Sequence, residues 1–444
     1  MTFSSLGAAY GAYKDSQEHP APELLAPAGG WEQLAYAIRF GADAVYLATD
    51  KFGLRKRATN FSLEDLPQVV GYAHDHGVHV HVTVNAQMHR ADFDDLPRYL
   101  QAIDEAGADA VLVSDLGALR MARQYAPHVQ IHVSTQASVS NAQSALVWHE
   151  LGASRIVCAR EMSLADIAAM REELPRELEL EVFVHGAMCM AISGRCLISD
   201  YLTGRSATDG NCTQPCRWKY SLVEEKRPGE FFPVEEDERG SYMLNAKDMN
   251  MLAHLDELRR IGVDSVKIEG RNKRAFYVAT VVNAYRQVLD GADPAAFAGE
   301  LETVSHRPYG TGFYFGPAHQ TPESDAYIRP YDWAFDVLEC EPKGDVWRVV
   351  GLCRNRFWEG SELEVLAPHE PVRTCLALNV CHMPYEEVTI DERERPQWRP
   401  SSPQPLEMPV NCANRTMELY AFDIPFPVER HTIFRIQRAS RTTK

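Results

Sequence analysis

Four of the ten cysteines lie within one stretch of 28 residues, at Cys189, Cys196, Cys212 and Cys216. The first two are separated by six residues, the middle two by fifteen and the last two by three. Thiolates grouped in this way can hold zinc or an iron–sulfur cluster, because sulfur is a soft ligand. An apolar segment (180–184) precedes them and Gly, Ser and Asp surround them, so we expect the thiols on loops beyond a strand end.

Four interpretations of these thiols are open. Disulfides are disfavoured, because the other six cysteines are scattered singly and no export signal is recognisable, which is typical of a reducing compartment. Structural zinc usually takes cysteine pairs two to four residues apart, so the six-residue spacer fits it poorly. Iron–sulfur clusters accept looser spacings, so a cluster is the favoured interpretation, zinc is the alternative, and ordinary unligated cysteines come last.

The residues around the first two cysteines resemble the signature of a known family. They are Glu181, Phe183, Gly186, Ala187, Met188, Cys189, Gly194, Cys196 and Ser199, and the likeness extends over most of the chain, from ELLAPAG (23–29) to RPYGTGFYFG (307–316). This pattern is similar to that of the family catalogued as peptidase family U32. The resemblance implies a [4Fe-4S] cluster on Cys189, Cys196, Cys212 and Cys216, and a small β domain at the C-terminal end.

Within that family, the chain looks most like the branch that hydroxylates the wobble uridine of tRNA to 5-hydroxyuridine. The resemblance implies a reaction without molecular oxygen, with prephenate as a co-substrate and the tRNA anticodon loop as the partner. A tRNA base would have to enter flipped or from a single-stranded loop. Hydroxylation of an rRNA base or of a quinone precursor is an alternative within the same family.

The composition sets limits on these interpretations. A chain of 444 residues with 45% hydrophobic content is long enough for a barrel-sized domain and a smaller one. No apolar run is long enough to cross a bilayer, so we expect no membrane association and a cytoplasmic protein. The net charge of −17 argues against general attraction to nucleic acid, so RNA binding would need a local basic patch.

Alternating apolar segments and amphipathic helical segments predict the scaffold that positions the cysteines. The predicted strands are Leu24–Pro27, Ala44–Ala48, His79–Asn85, Ala110–Ser114, Ile131–Thr135, Arg155–Arg160, Leu180–Val184 and Ser265–Glu269. The predicted helices begin near Trp31, Leu63, Asp94, Leu116, Ala142, Ser163, Met249 and Ala275. Eight such units without a phosphate-binding glycine fingerprint favour an α/β fold, a closed (β/α)8 TIM-like barrel, over a doubly wound open sheet.

The same alternation divides the chain into regions. We expect a tail at 1–20, the barrel at 21–289 with a cysteine-rich insertion at about 185–248, and a connector at 290–330. Short alternating segments between Pro, Gly and Asn predict a small all-β domain at 331–444. The insertion follows the seventh strand, so the cysteines should lie at the carboxyl-end mouth, where such barrels carry out chemistry.

Polar side chains share the inward faces of several predicted strands, because side chains alternate between the two sides of a strand. His79, His81, Thr83 and Asn85 form one such row, His132, Ser134 and Gln136 a second, and Lys267, Glu269 and Arg271 a third. The structural interpretation is an internal network in which these polar groups are hydrogen-bonded to one another, and we prefer it for His79 and His81. The chemical interpretation is a pocket for a small carboxylate, because guanidinium groups bind carboxylates bidentately.

The candidate site residues follow from these positions. We assign His185, Arg160 and Glu269 as candidate catalytic residues and Asn85, Gln136, Lys267, Arg271, Arg57 and Lys273 as candidate substrate-binding residues. Basic residues also gather in three mouth loops, namely Lys51, Arg55, Lys56 and Arg57; Arg195, Arg205, Arg217 and Lys219; and Arg271, Lys273 and Arg274. This patch could attract RNA, with Phe61, Tyr201, Trp218 and Tyr277 available to stack bases, although solvated surface charge and core packing are the commoner roles.

Two functions of other classes compete with hydroxylation. The family name suggests a collagenase-like peptidase. The chain, however, has neither the His-Glu-x-x-His motif of zinc peptidases nor the Gly-x-Ser-x-Gly motif of serine hydrolases. A cysteine peptidase built on Cys189 and His185 would be unusual with four clustered thiols. The other alternative is a non-catalytic protein that binds RNA or a partner and uses its metal structurally.

Overall fold

A computed structural model describes residues 19–54, 60–188, 198–207, 210–215, 218, 221–222, 232–233, 247–316, 327–390, 396–400 and 407–438. Arg57 and three of the four clustered cysteines, Cys189, Cys196 and Cys216, therefore lie outside the described residues. The basic residues Arg55, Lys56, Arg195, Arg217 and Lys219 lie outside them as well.

Eight parallel strands form a closed barrel. They are β1 (Glu23–Pro27), β2 (Ala44–Leu47), β3 (His79–Val84), β4 (Ala110–Val113), β5 (Gln130–Val133), β6 (Arg155–Val157), β7 (Glu179–Ala187) and β8 (Ser265–Ile268). Each strand pairs with the next, and β8 pairs with both β7 and β1, which closes the cylinder. The predicted (β/α)8 barrel is therefore confirmed.

Helices connect the barrel strands and cover them from outside. They are α1 (Trp31–Arg39), α2 (Leu66–His74), α3 (Asp92–Glu105), α4 (Leu116–Tyr125), α5 (Ala142–Glu150), α6 (Leu164–Glu173), α7 (Leu255–Ile261) and α8 (Ala275–Leu289). Side-chain caps fix several starts, as at Ser163, whose hydroxyl accepts the Asp166 N–H while the Asp166 carboxylate accepts the Ser163 N–H. Among the described residues, no helix is both long and apolar enough to cross a membrane.

The main hydrophobic core lies between the strands and these helices. On β3 the alternate residues Val80, Val82 and Val84 are fully buried in it, as the strand alternation predicts. Inside the cylinder the apolar contribution is small, with Leu25, Ala44 and Tyr46 forming a separate cluster. A barrel interior is ordinarily packed with branched apolar side chains, so this one leaves room for polar chemistry.

The insertion after β7 departs from the prediction at its end. A helix was expected to begin near Met249, but Asp248–Asn250 is a strand that pairs antiparallel with β7, placing Asn250 opposite His185. The strand Tyr309–Gly310 then pairs parallel with Asp248–Asn250. The helix begins only at Leu255, because Asp248–Asn250 is used to extend the sheet between β7 and the edge strand Tyr309–Gly310. Elsewhere in the insertion, Ser221–Leu222 pairs antiparallel with Phe232–Pro233.

The C-terminal region is an antiparallel sheet preceded by a helix, α9 (Pro294–Leu301), in the predicted connector. Its eight strands are β9 (Tyr331–Lys343), β10 (Val346–Cys353), β11 (Glu362–Leu366), β12 (Arg373–Leu376), β13 (Leu378–His382), β14 (Met408–Pro409), β15 (Leu419–Ile424) and β16 (Ile433–Gln437). They are ordered β12-β11-β16-β9-β10-β15-β13-β14. Two short pairs, Phe357–Trp358 with Cys412–Ala413 and Tyr385–Ile390 with Pro396–Pro400, complete the predicted all-β domain.

Polar contacts join the barrel to this sheet. On α1 the Tyr36 hydroxyl donates to Asp336 on β9 at 2.6 Å. Arg354 donates to both Asp336 and Glu32, and its guanidinium lies 4.2 Å from the centre of the Trp333 ring. Because Asp336 is almost fully buried, these partners are what make its charge tolerable at the junction.

Candidate functional site

A cavity opens at the carboxyl end of the barrel. It is lined by Tyr46, Leu54, Thr83, Asn85, Leu112, Ser134, Thr135, Gln136, Val157, Arg160, Phe183, Lys267, Glu269 and Arg271. Its volume is about 30 Å³. Six residues assigned from the sequence therefore meet in one place, namely Asn85, Gln136, Arg160, Lys267, Glu269 and Arg271. The enclosed part is large enough for a carboxylate group, and a larger molecule would extend into the mouth.

Arg160 is held firmly in this cavity. It is 5% exposed, its guanidinium lies 3.9 Å from the centre of the Phe183 ring, and it donates to the Ala187 carbonyl at 3.1 Å. A second guanidinium nitrogen lies 3.3 Å from the carboxylate of Glu269. Its Nε atom is buried and has no hydrogen-bond partner among the described residues. Arg160 is thus oriented by three neighbours and keeps one N–H group available for a ligand.

Arg271 enters from the loop after β8. Its guanidinium donates to the Leu54 carbonyl and lies 5.9 Å from the centre of the Tyr46 ring. Its backbone carbonyl packs against Gly29, where an added Cβ would lie 2.0 Å from the oxygen. Only glycine fits there, so the loop after β1 sets the position of Arg271.

Amide and hydroxyl groups complete the cavity wall. The Asn85 amide donates to the Ser134 hydroxyl at 2.9 Å. Thr83 Oγ1 and Gln136 Oε1 are buried and have no hydrogen-bond partner in the described part of the chain. Buried polar atoms are normally paired, so a ligand or water molecules in the cavity would satisfy both.

A chain of charges lies beneath the cavity. Lys267 Nζ donates to Glu181 at 2.7 Å, and Arg155 lies 3.3 Å from the other oxygen of the same carboxylate. Arg155 also contacts Glu23 at 2.6 Å and Glu179 at 2.7 Å. Burial lowers the pKa of Lys267, and the attraction of Glu181 opposes that change without cancelling it. Lys267 therefore belongs to an ion-pair network as well as to the cavity floor, so its role in substrate binding stays a prediction.

His185 does not face the cavity, which corrects the expectation that it joins Arg160 and Glu269. The register between β7 and β8 shifts, so that Lys267 pairs with Phe183 but Ile268 pairs with His185. The extra residue, Val184, forms a bulge that turns the following side chain to the other face of the sheet. The His185 ring lies among Tyr277, Tyr285 and Tyr309, with centroid distances of 5.9, 5.5 and 5.4 Å.

The surroundings of His185 keep its imidazole neutral. Burial, aided by the nearby charge of Lys273, lowers the pKa of His185 to about 3. Its Nδ1 atom lies 3.3 Å from the Tyr285 hydroxyl. This position suits a structural histidine, and no contact with the cavity supports the catalytic role assigned from the sequence.

Lys273 and two of the candidate stacking residues also lie away from the cavity. Lys273 Nζ donates to the Ser305 carbonyl at 2.9 Å and lies 4.9 Å from the Tyr277 ring centre. Phe61 and Tyr277 are buried, since Phe61 packs edge-on against Trp31 and Tyr277 donates to the Glu269 carbonyl. Both rings are therefore packed in the core and are not available to stack on bases.

Two aromatic side chains of the insertion remain on the surface. Tyr201 is 89% exposed and Trp218 is 48% exposed. In the sequence they lie on either side of Cys212. Of the predicted basic patch, Lys51 pairs with Asp95 and Arg205 donates to Asn211 at 3.1 Å. Both rings are accessible, and their stacking on RNA, like the basic patch, stays a prediction.

Cys212 is the one clustered cysteine whose surroundings are described. It is half-buried and free, and its sulfur accepts the Gln214 N–H at 3.2 Å. The neighbouring Thr213 N–H donates to the Ser199 hydroxyl at 3.0 Å, which ties this loop to the short helix Ile198–Thr203. Backbone N–H groups that donate to sulfur tune iron–sulfur centres, so the surroundings of Cys212 fit a cluster ligand.

Several residues of the site had been overlooked at the level of sequence. Tyr46, Arg155 and Glu181 supply an aromatic wall and the charges under the cavity. Their positions on strands carried a usable signal, because Glu181 shares the inward parity of Phe183 on β7. The partners of a buried charge, however, come from other strands and cannot be read from one strand.

Comparisons with known proteins agree with this architecture. The profile described as "Peptidase family U32" matches residues 29–324. "tRNA hydroxylation protein P1" of Bacillus subtilis is 36% identical over 356 residues, which cover 78% of this chain and 84% of that protein. "tRNA hydroxylation protein P" of Escherichia coli is 34% identical over 400 residues, covering 78% of this chain and 86% of that protein. An "uncharacterized protease" of Methanocaldococcus jannaschii is 40% identical over 346 residues, covering 76% and 83% respectively.

Proposed function

The chain belongs to peptidase family U32, and on that basis we propose that it is a tRNA-modifying hydroxylase. The proposed product is 5-hydroxyuridine at the wobble position of the anticodon loop. The observation that carries the proposal is the similarity to two proteins named for tRNA hydroxylation, over more than three quarters of this chain and of theirs. The oxygen-independent character of the reaction is part of the proposal.

We assign the four clustered cysteines, Cys189, Cys196, Cys212 and Cys216, as the residues that would hold a [4Fe-4S] cluster. The supporting observation is Cys212, whose sulfur accepts the Gln214 N–H and whose neighbour Thr213 donates its N–H to the Ser199 hydroxyl. When bound, the cluster would supply electron transfer to the reaction. Zinc on the same thiolates is the alternative, and iron analysis separates the two.

The cavity is the proposed site for the carboxylate co-substrate, for which prephenate is our candidate. Arg160 and Arg271 offer guanidinium groups, which bind carboxylates strongly and with defined geometry. Thr83 and Gln136 offer polar atoms that have no hydrogen-bond partner among the residues that the structure describes. Tyr46 and Phe183 provide the apolar wall that the carbon skeleton of such an acid needs.

Glu269 and Arg160 have different proposed roles in this site. Replacing the hydrogen on C5 of uracil by a hydroxyl group taken from water releases two protons and two electrons, and one of the protons leaves from that carbon. The cluster would relay the electrons to an external acceptor, so the chain itself must take up the proton. Glu269 is the carboxylate that lines the cavity among the described residues, and it is the candidate to accept this proton. Arg160 lies 3.3 Å from the Glu269 carboxylate and holds it in the cavity, while its Nε–H group binds the co-substrate.

Peptidase activity is the competing proposal, because some relatives carry protease names, among them "Collagenase" of Porphyromonas gingivalis. Cysteine and serine peptidases need a nucleophile beside a histidine. Among the described residues that line the cavity, there is no histidine, and Ser134 is engaged with Asn85. The geometry therefore gives this alternative less support than hydroxylation.

The test is genetic complementation followed by nucleoside analysis. A bacterial strain without its own tRNA hydroxylation proteins would receive this chain and grow without oxygen, and its tRNA would be digested and separated by mass spectrometry. We expect 5-hydroxyuridine derivatives to return with the wild-type chain and not with the Cys212→Ser variant. Persistent absence of these nucleosides with a soluble, iron-containing chain would contradict the proposal, and their appearance in rRNA instead would redirect it.

A further inference from the structure

A second set of metal-ligating side chains lies inside the barrel, one layer beneath the cavity. His81, His132 and Glu181 each offer one ligand atom, and the three atoms lie within 4.8 Å of one another. Each residue precedes a cavity-lining residue on its strand by two positions, namely Thr83, Ser134 and Phe183. The set is thus separate from the cysteine insertion, and all three side chains are at most 2% exposed.

We propose that His81, His132 and Glu181 bind a divalent transition-metal ion. Two imidazole nitrogens and one carboxylate form a donor set that suits zinc or iron(II), with water in the remaining positions. Ligand atoms on a tetrahedral ion at bonds of about 2.1 Å are about 3.4 Å apart. Small rotations of the three side chains would therefore close the observed separation around one ion.

The state of the two histidines is what points to a ligand. Nδ1 of His81 and Nδ1 of His132 are buried, and neither has a hydrogen-bond partner in the described part of the chain. The rings meet edge to face with centroids 4.8 Å apart. Buried ring nitrogens are normally paired, so a bound ion would satisfy both.

A hydrogen bond to His132 orients its ring. Nε2 of His132 lies 3.4 Å from Oε1 of Gln130, so the ring donates from Nε2 and leaves Nδ1 without a proton. Histidines that bind metals commonly donate their second N–H to such an oxygen, which fixes the tautomer. Gln130 is therefore a positioning residue for the proposed ion.

The charges around Glu181 permit a cation. Its carboxylate accepts from Lys267 and Arg155, which uses two of about four lone-pair positions and leaves others for a metal. The network contains three carboxylates, those of Glu23, Glu179 and Glu181, against the two cations. Counted over these five groups, one negative charge is left over.

The site is proposed independently of the tRNA reaction, and cobalt(II) alone can test it. The full chain with Cys189, Cys196, Cys212 and Cys216 replaced by serine removes competition from those thiolates. We expect this chain, freed of metal, to bind one equivalent of cobalt and to show visible ligand-field bands. Replacing His81 or His132 by glutamine should abolish the one-equivalent binding, and Gln130→Ala should weaken it by about 10- to 100-fold.

His185→Gln is the matched control, because His185 is as deeply buried and its Nε2 atom has no hydrogen-bond partner within the described ranges, but it lies on the other side of β7. It should bind cobalt as the parent does. Circular dichroism establishes that each variant is folded, and X-ray absorption of the cobalt-loaded parent gives a readout that needs no further substitution. Absence of imidazole scattering around cobalt, or unchanged binding in the folded His81→Gln and His132→Gln variants, would overturn the proposal.

Discussion

Arg160 Nη2 and Glu269 Oε2 lie 3.3 Å apart across the mouth of the barrel, although the strands that lead to them are separated by β7. Arg160 is 5% exposed, so this ion pair is largely shielded from water and its attraction is weakly screened. The pair places a cation and a carboxylate in one small cavity. A binding role and a proton-accepting role can therefore be separated by substitution.

The first prediction concerns carboxylate binding. Arg160→Gln should weaken the binding of prephenate by about ten- to a hundredfold, because a charged hydrogen bond contributes roughly 1.5–3 kcal/mol. Calorimetric titration of the purified chain measures it. Glu269→Gln is the control, since removing a negative charge should leave this affinity intact while lowering the yield of hydroxylated tRNA. Equal loss of affinity in both variants would refute the separation of roles.

The second prediction concerns the glycine that positions Arg271. Gly29→Ala should destabilise the chain by about 1–3 kcal/mol, because the new Cβ would collide with the Arg271 carbonyl and force a backbone shift. The free energy of unfolding in urea measures this loss. Gly71→Ala in α2 is the matched change, since nothing lies within 4 Å of the new atom and alanine is the better helix former by roughly 0.5–1 kcal/mol. A tolerated Gly29→Ala would show that this contact is not required.

The third prediction concerns the metal of the insertion. Cys212→Ser should reduce the iron and acid-labile sulfide content of anaerobically purified protein, because one of four cluster ligands is lost. Cys340→Ser is the control, since Cys340 is also half-buried and free but belongs to β9 of the C-terminal sheet. A colourless wild-type protein that contains zinc and no iron would eliminate the cluster.

The fourth prediction concerns RNA contact by an exposed ring. Trp218→Ala should weaken tRNA binding by roughly 1–3 kcal/mol if the indole stacks on a base. Trp358 provides a close control, because it is 49% exposed against 48% for Trp218 and lies in the C-terminal domain. Filter binding of anticodon stem–loop RNA compares them. The stacking role fails if both variants bind like the wild type.

The fifth prediction concerns the junction between barrel and sheet, and it depends on pH. Burial alone would raise the pKa of the Asp336 carboxyl, but contacts with His431, Arg354 and Tyr36 outweigh it and lower the pKa overall. A carboxyl whose pKa falls on folding stabilises the folded chain above its unfolded pKa of about 4. That stabilisation is lost as the pH falls from about 4 through the lower folded value.

Asp336→Asn should therefore destabilise the chain by about 3–5 kcal/mol at neutral pH, since it leaves Arg354, whose side chain is only 17% exposed, with one charged partner fewer. Its stability should also fall less steeply below about pH 4 than that of the wild type. Thermal unfolding as a function of pH measures both effects. Asp332→Asn on the same strand breaks a more exposed pair with Arg438 and should cost less than about 1 kcal/mol. Similar losses in the two variants would contradict the role of the buried junction.

Periodicity predicted the scaffold well, because it depends on local physics. The eight barrel strands and the early strands of the C-terminal sheet lie where apolar alternation places them. Alternation also predicted the inward rows, so that Asn85, Gln136, Lys267 and Arg271 meet at the cavity. Met249 was predicted to begin a helix, because it is apolar and precedes a helical segment. It lies instead in a strand that pairs with β7. Its pairing partner is about sixty residues away in sequence and has no local signature.

The residue types and their strand parity thus determined the barrel, its polar interior and the identity of most cavity-lining side chains. Only the tertiary structure decided which of those side chains share a partner. A single bulge residue, Val184, turns His185 out of the barrel, and a lysine that could bind substrate is paired with Glu181. Such outcomes depend on pairing between strands and on the need to neutralise buried charge, and neither is encoded within one segment of the chain.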